Sequence, residues 1–160
     1  MAPSSILEKI YSLAGIIEKT IQWKKEGKKI VFTNGVFDLL HKGHIFSLTQ
    51  AANEGDVLVI GLNSDSSVKR LKGDSRPIND QDSRALLLAA LSMVDAVVIF
   101  EEDTPLKLIT SFLPGVLVKG GGYTIDEIAG AKEVIANGGK IVINPILDGF
   151  STTAIIKAIK

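Results

Sequence analysis

The sequence contains no cysteine and no excess of either charge. Without cysteine the chain cannot form disulfides, thiolate metal sites or a cysteine nucleophile. Its 18 basic and 18 acidic residues balance, which argues against a general affinity for nucleic acid or for an anionic membrane surface. Any anion-binding site is therefore expected to be local.

Long uncharged apolar runs are missing as well. The most apolar stretch near the N-terminus, residues 6–21, contains four charged residues and lacks the basic leader and cleavage site of a signal peptide. No window reaches the roughly 18 uncharged apolar residues that a membrane span needs. We therefore expect a cytoplasmic protein.

Several nucleotide-binding and hydrolase signatures are also absent. The sequence has neither a Gly-x4-Gly-Lys-Ser/Thr loop nor a Gly-x-Gly-x-x-Gly fingerprint, which disfavours a P-loop kinase and a dinucleotide dehydrogenase. The Gly-x-Ser-x-Gly and His-Glu-x-x-His motifs are missing too, so a serine hydrolase or a zinc protease is not expected.

Short apolar runs alternate with helical patterns along the chain. A first helix is predicted from the serines at 4 and 5 to a stop at Gly27. The continuously apolar runs that follow are typical of buried parallel strands. They lie at 30–33, 57–62, 96–100, 116–118 and 140–144, and helices are predicted at 44–53, 64–71, 80–91, 105–113, 126–136 and 151–159.

This alternation predicts an α/β fold, an open five-stranded parallel Rossmann-like sheet with an added N-terminal helix. We assign residues 1–27 to that helix and 28–160 to one domain. Because the helix must bury an apolar face somewhere, a homodimer is one way to cover it. Ligands in such sheets bind beyond the carboxyl ends of the strands, near the point where strand order reverses, so the loops there are candidate sites.

Both histidines of the chain, His41 and His44, lie between the first predicted strand and its helix. The bare Gly43 between them would let a phosphate approach the backbone, and a helix N-terminus favours an anion. Two imidazoles can donate hydrogen bonds to phosphate and stabilise charge on a departing pyrophosphate. Either histidine alone would suit an ordinary loop or cap, but the pair around a glycine favours a phosphate site.

Two further segments carry weaker signals. Ser151, Thr152 and Thr153 precede the last helix, where their hydroxyls would bind phosphate, although Ser151 alone would make a plain cap. Lys119 and Gly120 begin a glycine run that permits a close approach to a base or a phosphate, or simply forms a flexible turn.

Basic residues cluster after the second predicted strand, in a segment whose Gly73 and Pro77 suggest a mobile flap. Such a cluster is most often solvated, but arginine suits bidentate phosphate contacts. We select Lys72 and Arg84 as phosphate-binding candidates. The full cluster is Lys69, Arg70, Lys72, Arg76 and Arg84.

The stretch from Asn34 to His44 resembles the signature of the cytidylyltransferase-like His-x-Gly-His nucleotidyltransferases. The resemblance implies that His41 and His44 are catalytic, that a substrate phosphate attacks the α-phosphorus directly, and that Mg²⁺ accompanies ATP. It also implies nucleotide-binding and substrate-binding sets, although Asp38 would equally cap the turn. The nucleotide set is Asn34, Gly35, Val36, Phe37, Gly43, Lys119, Gly120, Ser151, Thr152 and Thr153, and the substrate set is Asp38, Asn63, Asp65, Lys72 and Arg84.

Further strings over residues 28–160 resemble the branch of D-glycero-β-D-manno-heptose 1-phosphate adenylyltransferases. They are 63–65, 71–77, 100–105, 118–121 and 149–153. The resemblance implies that AMP passes from ATP to the sugar 1-phosphate, giving ADP-heptose for lipopolysaccharide core or surface-layer glycans, in a stand-alone enzyme. It also implies that the first and fourth predicted strands are neighbours, so that their loops flank one crevice.

Two departures bear on specificity. Gly122 stands where the branch usually has Asp, and Ile146-Leu147 replaces the Arg that glycerol-3-phosphate cytidylyltransferases carry before Ser-Thr-Thr, which favours adenine. Two alternatives stay open: a cytidylyltransferase acting on glycerol 3-phosphate or a related alcohol phosphate, and a non-catalytic nucleotide sensor. The metal ligands are not identified by the sequence, and we expect neither nucleic acid nor membrane as a partner.

Overall fold

The structure, a computed structural model, describes residues 3–160, with side chains from residue 5 onward. Six parallel strands form one sheet in the order β1-β4-β3-β2-β5-β6. The strands are β1 (Ile10–Tyr11), β2 (Ile30–Gly35), β3 (Val57–Asn63), β4 (Ala96–Phe100), β5 (Val116–Gly120) and β6 (Lys140–Asn144). The helices are α1 (Pro3–Leu7), α2 (Leu13–Lys25), α3 (Lys42–Ala52), α4 (Asp65–Lys72), α5 (Gln81–Ala89), α6 (Leu106–Phe112), α7 (Ala131–Ala136) and α8 (Thr152–Ile159), with a 3₁₀ turn at Ile125–Glu127.

Helices cover both faces of the sheet, so the central strands are apolar along their whole length. Every residue of β3 is buried, as continuous apolar runs in parallel sheets require. One core layer lies between the sheet and α2, α6 and α7, and contains Trp23, Phe32 and Phe112. The other lies between the sheet and α3 and α5, and contains Leu48 and Leu88.

The strand order reverses at β2. That strand pairs with β3 on one side and with β5 on the other. The chain moves from β2 through β3 to β4, and then crosses to β5 on the opposite side of β2. The loops after β2 and β5 therefore diverge around one crevice, as the resemblance implied.

The N-terminal segment differs from the single helix predicted for residues 1–27. Residues 1 and 2 lie outside the described part of the chain, and α1 and α2 are separated by β1. Ile10 packs in one core layer and Tyr11 in the other, which is the alternation of a strand. The Lys9 carbonyl accepts a hydrogen bond from the Val97 amide at 2.8 Å, so β1 extends the sheet beside β4.

Smaller differences concern helix boundaries. The helix predicted at 126–136 is a 3₁₀ turn followed by α7, because Gly130 between them has a φ of +83° and packs against Ile109. Helix α6 begins at Leu106, one residue later than predicted, with Pro105 in the cap position. Among the helices of residues 3–160, none is long and apolar enough to cross a bilayer.

Candidate active site

A cavity of about 700 Å³ opens at the carboxyl ends of the strands where their order reverses. Its volume falls in the range of small-molecule sites. Most of the predicted site residues line it, although they come from five separate segments of the chain. They are Asn34, Gly35, Val36, Phe37, Asp38, His41, Gly43, His44, Asn63, Lys72, Lys119, Ser151, Thr152 and Thr153.

The two imidazoles stack face to face at the start of α3. Their ring centroids are 3.8 Å apart with an interplanar angle of 25°. His41 is the N-cap residue, and its Nδ1 accepts a hydrogen bond from the Gly43 amide at 3.1 Å. The His44 Nδ1 accepts from the His41 amide at 3.3 Å. Each ring therefore uses Nδ1 to cap the helix.

This capping determines which nitrogen carries the proton. A neutral imidazole has one N–H, and an Nδ1 that accepts a hydrogen bond leaves that N–H on Nε2. Burial lowers the pKa of His41, and burial together with the charge of His41 lowers the pKa of His44 to about 4. At neutral pH both rings are therefore uncharged, and their Nε2–H groups are available to an anion.

Gly43 lines the cavity, and no side chain would fit at its position. A Cβ there would lie 2.9 Å from Cε1 of His41 and 3.0 Å from Cβ of Phe150. The space that a Cβ would occupy is therefore filled by two side chains. The glycine lets Phe150, at the start of the last helix, approach the His41 ring, and their centroids are 6.3 Å apart.

Phe37 supports His44 from the other side. Its ring centroid is 5.2 Å from that of His44, and its φ of +48° is uncommon for a residue with a side chain. A Cβ at Gly35 would lie 2.9 Å from the Phe37 ring, so a glycine is needed there. The loop after β2 thus holds its histidines by close packing.

Asp38 does not face a ligand with free oxygens. Its carboxylate is 1% exposed, and it accepts hydrogen bonds from the Ile78 and Asn79 amides and from Nε of Arg76 at 2.7 Å. Burial alone would raise the pKa of Asp38, but these donors hold it below its usual value. The carboxylate therefore attaches the α4–α5 connection to the histidine loop. This is close to the capping role that the sequence left open for Asp38, except that the capped amides belong to a second segment.

The N-terminus of α8 reaches the same cavity. Ser151 is its N-cap residue, and its Oγ accepts from the Ala154 amide at 3.0 Å. The Thr152 hydroxyl donates to the Leu39 carbonyl at 3.1 Å, which ties α8 to the histidine loop. Ser151, Thr152 and Thr153 all line the cavity, so the partial positive charge at the N-terminus of α8 lies beside it and favours an anion there.

Lys119 enters the cavity from the end of β5. Its ammonium lies 5.0 Å from the centroid of the Tyr123 ring, and burial lowers its pKa. Gly120, predicted with it, lines a second cavity of about 210 Å³ between β2, β5 and α3 instead of the main one.

The structure does not bring Arg84 and Asp65 into the cavity. Arg84 is 0% exposed. Its guanidinium donates to the carbonyls of Val36, Asn63 and Asn79 and to the Asp65 carboxylate at 2.7 Å. All these donors are directed to the protein, so Arg84 is a structural link between β2, β3 and α5, in contrast to the predicted substrate contact.

Several lining residues were not selected from the sequence. Arg76 belonged to the basic cluster, but nothing in the sequence distinguished it from its neighbours. Phe150 and Tyr123 each adjoin a predicted motif, which was their only local signal. The remaining ones come from loops without a motif and include Asp103, Thr104, Pro105, Glu127, Ile128, Ile146 and Leu147.

The described residues do not fit a protein-built Mg²⁺ site. Within residues 5–160 no group of three His, Cys, Asp or Glu side chains is arranged to hold a metal. Of the carboxylates that line the cavity, Asp38 is fully used, Asp103 pairs with Arg70 at 2.7 Å, and Glu127 accepts from the Thr124 amide at 2.9 Å.

Comparison with known proteins agrees with this geometry. A family model described as cytidylyltransferase-like matches residues 32–158. The chain is 53% identical over 159 residues to the bifunctional protein HldE of Rhodopseudomonas palustris, covering 98% of this chain and 32% of that protein. It is 57% identical over 137 residues to the HldE of Shigella flexneri, covering 86% and 29%. The chain spans about a third of the length of these curated relatives.

Solved structures show the same fold. A lipopolysaccharide core biosynthesis protein from Thermoplasma volcanium superposes with a TM-score of 0.62 at 31% identity, over 76% of this chain and 98% of the other. A pantoate-beta-alanine ligase from Francisella tularensis has a TM-score of 0.60 at 18% identity, over 93% and 76%, which shows the fold alone. Because the family match covers most of the chain, including the stacked histidines and the start of α8, this protein belongs to the cytidylyltransferase-like family of nucleotidyltransferases.

Proposed function

We propose that this protein transfers AMP from ATP to D-glycero-β-D-manno-heptose 1-phosphate, giving ADP-heptose and pyrophosphate. The observation that carries the proposal is the pair of stacked imidazoles. Both cap α3 through Nδ1, and both line an open cavity next to the start of α8. The choice of sugar phosphate and nucleotide is supported by the identity to the HldE proteins over most of this chain.

The triphosphate of ATP is proposed to bind between the histidines and the start of α8. The Nε2–H groups of His41 and His44 donate to phosphate oxygens, and the amides around Thr152 and Thr153 bind the distal phosphates. Lys119 adds a positive charge from the β5 side.

The reaction is a direct displacement. An oxygen of the sugar phosphate forms a bond to the α-phosphorus of ATP while the bond from that phosphorus to the bridging oxygen breaks, and pyrophosphate leaves with the electron pair. Negative charge grows on the bridging oxygen, and preorganised imidazole donors stabilise it there more than they stabilise bound ATP. No covalent enzyme intermediate is required.

A substrate matrix tests the proposal. ATP and CTP are each combined with D-glycero-β-D-manno-heptose 1-phosphate, glucose 1-phosphate and glycerol 3-phosphate, and pyrophosphate release is measured. We expect the largest kcat/KM for ATP with the heptose phosphate. A larger value for CTP with glycerol 3-phosphate would establish a cytidylyltransferase instead, and ATP binding without turnover on any acceptor would establish a nucleotide sensor.

The cellular setting belongs to the same proposal. A cytoplasmic location is expected because ATP is the nucleotide donor, and a homodimer stays a prediction that sedimentation of the purified protein will test. The apolar face of α2, which motivated the dimer, is largely covered by the chain itself, since Ile16, Thr20 and Trp23 are buried.

A further inference from the structure

Arg76 lies in the connection between α4 and α5 and lines the main cavity together with Lys72. Its Nε donates to Oδ2 of Asp38 at 2.7 Å, and the side chain is only 12% exposed. Asp38 is itself immobilised by the Ile78 and Asn79 amides. The guanidinium is therefore held in one orientation before any ligand arrives.

The outer edge of this guanidinium has unused donors. Within residues 5–160, Nη1 and Nη2 of Arg76 have no hydrogen-bond partner, and no buried side-chain nitrogen or oxygen lacks one. Both atoms must therefore reach solvent, and the cavity is the space that this side chain lines. Arginine stays charged, and such an edge matches two oxygens of a phosphate.

The acidic side chains around the cavity do not compete for these donors. Asp103 is paired with Arg70, and Glu127 accepts the Thr124 amide. Asp38 takes Nε of Arg76 and two backbone amides, which leaves the outer edge free. A phosphate at Arg76 would also lie in a cavity that the Lys72 side chain lines.

The position in the sheet indicates which phosphate this is. Arg76 follows β3, whereas Lys119 lies at the end of β5 and the α8 N-terminus follows β6, on the other side of β2. A displacement at phosphorus needs the attacking and leaving oxygens roughly in line, on opposite sides of the α-phosphorus. If pyrophosphate leaves toward the histidines and α8, the attacking phosphate enters from the Arg76 side.

We propose that Arg76, oriented by Asp38 and assisted by Lys72, binds the phosphate group of the sugar 1-phosphate and presents its oxygen to the α-phosphorus of ATP. The inference rests on the proposed function. It adds that the triphosphate and the sugar phosphate bind on different sides of the cavity. The loop that carries the histidines also holds the acceptor-binding arginine, so both substrates are positioned by one segment.

The test measures the two substrates separately. Calorimetry gives the dissociation constant of α,β-methylene-ATP, and then that of D-glycero-β-D-manno-heptose 1-phosphate in the presence of the saturating analogue. For Arg76→Gln we expect the second constant to rise at least tenfold and the first to stay within threefold. The retained affinity for the analogue also shows that the variant is folded.

Two further variants complete the design. Lys69→Gln removes the same charge from the exposed face of α4, outside the cavity, and should leave both constants unchanged. Arg76→Lys keeps the charge but loses the paired Nη1 and Nη2 donors, and it should weaken sugar phosphate binding by severalfold. If Arg76→Gln does not fold, the sugar phosphate affinity of Arg76→Lys tests the inference instead.

The outcomes separate the two proposals. If the wild-type protein binds no sugar phosphate, the proposed function fails and this inference fails with it. If the wild type binds the sugar phosphate and the Arg76 variants bind it equally well, the inference alone is overturned. A loss confined to α,β-methylene-ATP would overturn it too, because Arg76 would then serve the triphosphate.

Discussion

Each imidazole has two ring nitrogen atoms with different partners. Nδ1 caps α3, whereas Nε2–H is the donor that we propose for phosphate. An asparagine side chain can supply the capping acceptor in place of Nδ1, but it is too short to supply a donor where Nε2–H lies. We therefore expect His41→Asn and His44→Asn to fold and to lose about 10²–10³ in kcat, the scale of one donor to a charged transition state. Steady-state pyrophosphate release measures this, and near wild-type kcat in both variants would contradict the catalytic roles.

The depressed pKa of His44 makes stability depend on pH in a defined direction. The folded protein protonates His44 at about pH 4, whereas the unfolded chain does so near pH 6.5. Between these values the unfolded chain binds the additional proton, so the free energy of unfolding falls as pH falls through this window and is insensitive to His44 above it. The urea midpoint of the wild type should drop more between pH 6.5 and 4.5 than that of His44→Asn. Equal drops would mean that His44 titrates normally.

At this scale the sequence predicted that the two histidines lie together beside the crevice, but it did not indicate which arginine lines the cavity. The histidines could be predicted from the local sequence, because two histidines and a glycine within four residues must lie together at the start of one helix. Nothing in the sequence distinguishes Arg76 from Arg84. Only the packing of three segments places Arg76 in the cavity and buries Arg84. The packing of Phe150 against Gly43 was not predicted for a similar reason, since Phe150 lies more than a hundred residues away along the chain.

At the scale of the elements, Arg84 joins the ends of two strands to α5. It reaches the carbonyls of Val36 after β2 and Asn63 at the end of β3. Arg84→Met keeps the apolar stem but leaves these carbonyls and Asp65 without their donor. We expect the free energy of unfolding to fall by about 2–4 kcal/mol, because carbonyls near the buried guanidinium lose their donor at about 1–3 kcal/mol each, whereas the Asp65 carboxylate is 35% exposed and adds little.

Urea denaturation checks this expectation, with Arg70→Gln as the matched control. Arg70 also pairs with an aspartate at 2.7 Å, but both side chains are about half exposed. Its loss should cost no more than about 1 kcal/mol. A cost for Arg84→Met as small as that of the control would show that Arg84 does not hold the strand ends together.

The central elements were predictable because burial on both faces leaves an unbroken apolar run. β4 and β6 have the predicted limits, and β2, β3 and β5 extend the predicted runs by one or two residues. β1 was missed because two residues are too few to display a period of two, and they sit inside an apolar pattern of helical spacing. Its existence depends on β4, whose paired residues are 87 positions away along the chain and which offers an open edge.

For the whole molecule, the N-terminal segment contributes a strand to the sheet and side chains to the core. β1 completes one edge of the sheet, and α2 contributes Ile16 and Trp23 to the core layer shared with α6 and α7. The Lys24 ammonium donates to the carbonyls of Phe112 and Leu113 at the end of α6. The domain boundary predicted at residue 27 divides this packing.

Truncating the indole of Trp23 tests whether this layer stabilises the whole fold. Trp23→Ala removes a large buried ring from the core between α2 and the sheet, and we expect it to lower the free energy of unfolding by about 3–5 kcal/mol. Ile21→Ala lies on the same helix at a side chain that is 49% exposed and should change it by less than about 0.5 kcal/mol. Because the sheet is continuous from β1 to β6, both variants should still unfold in a single transition by circular dichroism and by fluorescence of an ATP analogue bound in the cavity. A Trp23→Ala protein in which helical signal is lost well before the cavity releases its ligand would instead show that the N-terminal segment unfolds as a unit of its own.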